Sequence, residues 1–106
     1  MENHPVIVLC TVPDKKTAQN IAYLIVENKL AACCNIIPGL TSVYTWKNKI
    51  EQDDEYLLLF KTLAHLFDGL KNKISELHPY EMPEIISIDL SDGNKIYLDW
   101  IAKNVR

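Results

Sequence analysis

A chain of 106 residues, 48% hydrophobic and 24% charged, has the size and composition of one folded domain with its own core, which excludes a disordered tail. Its 14 acidic and 11 basic side chains give a net charge of −3, which leaves no cationic footprint for a nucleic-acid backbone, and no apolar run approaches the ~20 residues that span a bilayer. Three scattered glycines (Gly39, Gly69, Gly93) exclude a phosphate-binding glycine loop, and Arg106, the only arginine, leaves no internal guanidinium to clamp a phosphoryl group.

The N-terminus, Met1 to Pro5, carries no basic stretch ahead of an apolar one, so no secretory signal is read and a cytoplasmic location is expected. Residues 5–12 are apolar on both parities, the pattern of a strand covered on both faces. Asp14 then offers an N-cap, and Ala18, Ile21, Ala22 and Ile25 share one face of a helix running to about Lys29. Residues 31–46 read as a long, bent edge strand, because Pro38-Gly39 interrupts it. Lys47, Asn48 and Lys49 turn the chain into a return strand, Ile50 to Lys61, acidic at first and apolar from Tyr56 to Phe60. Leu66, Leu70, Ile74 and Leu77 predict a second helix over Ala64 to His78, stopped by Pro79. Pro83 to Leu90 is the fourth strand, and Tyr97, Leu98, Ile101 and Ala102 mark a short final helix.

The order βαββαβ plus one helix predicts a single α+β domain over residues 1–106, a ferredoxin-like sandwich with a C-terminal helix added. Strand four should lie beside one, then three, then two, with both main helices on one face. The other face is then apolar and too large for the final helix to cover, so an oligomer is expected, with the edge strand carrying Val43, Tyr44 and Trp46 available for pairing.

Topology brings Cys10, at the end of strand one, to the same rim as His78, at the end of the second helix. A thiol and an imidazole together suit Cu(I), Cu(II) or Zn(II), whereas Cys10 alone reads as a small buried hydrophobe. Cys33 and Cys34, adjacent in a strand, point to opposite faces and read as packing; no disulfide is expected. The run Glu51, Asp53, Asp54 and Glu55 reads as a solvated strand start, and His4 and His65 have no partner that the pattern places. No Ser/His/Asp or Cys/His/Asn triad can be written, so no enzyme is expected. Trp46, Tyr44, Tyr80 and Trp100 read as interface anchors or, beside lysines, as walls of a small-ligand cleft.

Several motifs in order carry a resemblance: Leu30 to Pro38 (LAACCNIIP), Ser42 to Trp46 (SVYTW), Lys61-Thr62, His78 to Glu84 (HPYEMPE) and Tyr97 to Trp100 (YLDW). From about Val6 to Ile101 the chain resembles the CutA divalent-cation tolerance proteins. That resemblance implies a cytoplasmic homotrimer of ferredoxin-like subunits, similar in architecture to PII signalling proteins and linked to copper tolerance. The family's Cys-Thr-x-Pro-Asp motif matches Cys10 to Asp14, and its His-Pro-Tyr histidine matches His78, which makes Cys10 and His78 the expected copper ligands. Leu77 stands where some members carry a second histidine, and Asn48 stands where a hairpin glycine is common. The resulting expectation is weak binding of copper or a similar divalent ion, acting by sequestration or by signalling to a protein partner. The alternative is a PII-like module that binds a metabolite in an intersubunit cleft near Trp46, Lys61 and Tyr80.

Overall fold

The structure, a computed structural model, describes residues 3–106; Met1 and Glu2, part of the stretch read above for a secretory signal, lie outside the described residues. β1 (Pro5–Val12) leads through Asp14 into α1 (Lys15–Glu27). Asp14 is extended, and its carboxylate accepts the Thr17 N–H at 2.8 Å, a bond that holds the Asp14 carboxyl below the usual carboxylate range. β2 (Cys33–Trp46) and β3 (Lys49–Leu63) form a hairpin whose turn is two residues long. Lys47 and Asn48 both take positive φ, 49° and 67°, which matches the strand twist and explains why the return strand starts one residue earlier than expected.

The second helix opens as a 3₁₀ turn over Ala64–Leu66, becomes α2 over Phe67–Leu77, and stops before His78, which is extended ahead of Pro79. β4 (Ile85–Asp89) is shorter than its apolar run, and α3 (Lys95–Lys103) is capped by Asn94, whose side chain accepts the Ile96 N–H. The sheet order is β2-β3-β1-β4, antiparallel throughout.

Register assigns the two sheet faces. Val6, Val8, Cys10 and Val12 of β1 stand beside Leu58 and Phe60 of β3 and pack with Ile21, Ile25, Leu70 and Ile74 of the helices into one core. Thr62 shares this face fully buried, and its hydroxyl donates to the Leu30 carbonyl at 2.7 Å. On the opposite face lie Ile7 and Leu9 of β1, Leu57, Leu59 and Lys61 of β3, and Ile86 and Ile88 of β4. α3 contacts β1 and β3 and buries Ile101, so it covers part of this second face. Ile86 and Ile88 nevertheless remain 48% and 49% exposed.

Pairing of β1 with β3 ends at Val12 opposite Tyr56. Beyond that level β2 and β3 continue alone as a two-stranded arm, from Leu40 opposite Glu55 to the turn, which helps make the chain 43 Å long but only 26 by 23 Å across. A bulge between Ile37 and Leu40 marks the root of the arm, and there Gly39 takes φ 79°, a left-handed value that glycine tolerates readily. His4 and His65, which the sequence pattern left unplaced, tie down the chain ends. His4 Nε2 is 2.6 Å from Asp89 Oδ1, and His65 meets Asn3 and, at 3.2 Å, the Arg106 carbonyl.

Candidate functional site

β1 ends and α2 stops at the same rim, so Cys10 and His78 do meet, and they meet on one atom. Cys10 Sγ lies 3.7 Å and His78 Nε2 2.7 Å from the Thr11 carbonyl oxygen. The thiol and ring nitrogen are the right chemistry for a soft or borderline ion, but each is already occupied. Cys10 points into the helix-side core with no exposed surface, and burial, reinforced by the charge of Glu84, pushes its thiol up to about 12. His78 is buried; Nε2 donates to Thr11 while Nδ1 accepts the Tyr80 N–H at 3.1 Å, so both nitrogens serve backbone groups. Among the described residues no group of three or more His, Cys, Asp or Glu side chains is placed to hold a metal ion. The donor set thus suits copper in kind and falls short of a closed site in number.

The other expected cleft residues do not converge within the chain. Trp46 sits at the arm tip opposite Lys49, whereas Lys61 lies twelve positions further along β3, about 40 Å away at ~3.3 Å per residue. Tyr80 stands between them at the arm's root. Lys61 donates to Asn35 and lies 5.9 Å from the Tyr97 ring centre, which makes Asn35 and Tyr97 its working neighbours; the β2–β3 register and the packing of α3 on the sheet, not the local sequence, bring them together. Trp46 is covered by Lys47, whose ammonium is 5.7 Å from its ring centre.

The acidic run is solvated except at one position. Glu51, Asp53 and Asp54 are exposed, but Glu55 is only 6% exposed, and its Oε2 accepts the Tyr80 hydroxyl at 2.7 Å. Tyr44 donates to Asp53, a bond that pushes the Tyr44 phenol up to about 12, and burial followed by the Glu55 bond raises Tyr80 above the ordinary tyrosine range. Cys33 and Cys34 are free and half-buried; burial pushes the Cys34 thiol up to about 12. A groove of about 540 Å³ runs along α1 beside Leu77, lined by Lys16, Asn20 and Tyr23, and touches none of the expected site residues. No helix of the described residues is long and apolar enough to cross a membrane.

Comparison with known proteins agrees with the fold. The chain is 49% identical over 98 residues to the divalent-cation tolerance protein CutA of Thermus thermophilus, a match covering 92% of this chain and 95% of that protein. The solved structure of the Thermus thermophilus divalent cation tolerance protein superposes with a TM-score of 0.94 at 47% identity, covering 96% of this chain and 99% of that one. A structure described as the periplasmic divalent cation tolerance protein CutA of Archaeoglobus fulgidus superposes with a TM-score of 0.93 at 34% identity, covering 96% and 99%. The family model of the CutA1 divalent ion tolerance protein matches residues 6–104, and the chain belongs to that family.

Proposed function

We propose that the chain serves divalent-cation tolerance as a homotrimeric binding protein, not an enzyme, and that copper is the ion it engages, weakly, through Cys10 and His78. The observation that carries the assembly is the half-covered second sheet face: Ile86 and Ile88 of β4 and Ile37 of β2 stay exposed on it, next to an arm with exposed Val43, Tyr44 and Ile50. An apolar surface of that extent is the kind a soluble protein seals with further copies of itself. The number three is what the resemblance read from the sequence implies. Weakness follows from the donors' prior commitments, because a metal gains Cys10 and His78 only by displacing their bonds to Thr11.

Three free cysteines without a disulfide suit a reducing compartment, which supports the cytoplasm as the proposed location although a relative is described as periplasmic. A PII-like metabolite cleft built from Trp46, Lys61 and Tyr80 requires residues from different copies, so it depends on the same assembly.

Light scattering tests the assembly: the expected mass is three times the 12.2 kDa protomer, and a monomer at micromolar concentration defeats the reading. Calorimetric titration with copper tests the site. A small heat is expected for the native chain and none for the Cys10→Ala, His78→Ala double variant; undiminished heat in the variant removes both residues as ligands.

A further inference from the structure

The arm leaves the four-stranded sheet where β1 stops, and a two-stranded ribbon without a third neighbour is only marginally stable in water. Glu55 is the first β3 residue past the end of β1, and it pairs with Leu40, the residue at which β2 emerges from its bulge. The other carboxylates of the run are exposed, yet this one is buried under the Tyr80 phenol. Tyr80 is itself held in place: its N–H donates to His78, His78 donates to Thr11, and the two rings lie 4.7 Å apart at a 52° tilt. An unbroken line of contacts therefore runs from the end of β1 through His78 and Tyr80 to the root of the arm.

We propose that the Tyr80–Glu55 hydrogen bond is a brace that sets the direction of the β2–β3 arm and thereby controls association through the second sheet face, an inference that rests on the homotrimer reading above. The corner after α2 takes over at Glu55 the support that β1 gives up at Tyr56. A buried carboxylate deprived of its donor turns toward water, and the arm's root turns with it. Tyr80 is the positioning residue, and Glu55 is its anchor.

Tyr80→Phe tests the brace cleanly, because Tyr80 is 36% exposed and the change removes one oxygen without opening the core. Sedimentation over a dilution series is combined with amide hydrogen exchange, using Tyr23→Phe on the solvent side of α1 as the control. The expected result for Tyr80→Phe is a roughly tenfold rise in the concentration at half-dissociation, equivalent to ~1.4 kcal/mol. Exchange should quicken across residues 41–46 and 50–54 and stay unchanged in β1, while Tyr23→Phe matches the native chain. Native protein that is monomeric at every concentration defeats the assembly reading, and the brace is then judged on arm exchange alone. Tyr80→Phe protein whose arm exchanges as slowly as the native arm overturns the brace.

Discussion

Replacing both Ile86 and Ile88 by lysine is expected to convert the proposed trimer into a 12.2 kDa monomer that keeps its secondary structure. Both side chains lie on the sheet face away from α1 and α2, opposite Leu9 and Ile7, and each leaves about half its surface in water. Sealing that half should contribute on the order of 1 kcal/mol per side chain in every subunit. A lysine at the same place must either lose its hydration without a partner, at several kcal/mol, or hold the surfaces apart. Within the protomer neither isoleucine belongs to the helix-side core, so the fold should survive. Light scattering reads the mass and circular dichroism the fold. A variant that still weighs three protomers places the interface elsewhere.

Phe60→Ala is expected to act on the protomer itself and to cost about 3–5 kcal/mol of stability. Phe60 is the largest fully buried side chain; it sits mid-strand in β3, paired with Val8 on one side and Cys34 on the other, beneath the two helices. Its strand neighbours Val8 and Cys34 are fixed in register on either side, which limits how far they can move into the space it leaves. The loss should appear as a lower urea midpoint with an unchanged slope, at fixed protein concentration because association adds to apparent stability. A cost below about 1 kcal/mol shows that the layer between sheet and helices repacks to fill the space.

Where burial follows a simple period, the sequence was readable. Ala18, Ile21, Ala22 and Ile25 announce the buried face of α1, and all four are buried. β1 was different, because its residues are apolar on both parities. Periodicity could place the strand but could not say that Cys10 faces the helices, and only the register with Leu58 settles that. The meeting of Cys10 and His78 followed from topology; the sharing of Thr11 did not, since a backbone carbonyl leaves no mark in a sequence. Glu55 was missed for a related reason. Within a run of four acids nothing sets it apart, and its partner Tyr80 is 25 positions away across a helix. Lys61 was singled out as a cleft residue, but Asn35 and Tyr97, which it touches, come from β2 and α3 and carry no local signal.

The bulge at the arm's root has a consequence for evolution by insertion and deletion. Between Ile37 and Leu40 the edge strand advances three positions while its partner advances two, from Leu57 to Glu55. That one surplus residue changes the phase of everything after it: odd-numbered Asn35 and Ile37 look out from the same side as even-numbered Tyr44 and Trp46. Pairing residues 37–46 in strict alternation, with no bulge to absorb the extra residue, would turn both aromatic rings to the hairpin's back, whereas losing Gly39 together with the bulge would keep them on the same side. A relative that keeps the residue but loses the bulge must therefore present a different surface to its neighbours, however closely the rest of its sequence agrees.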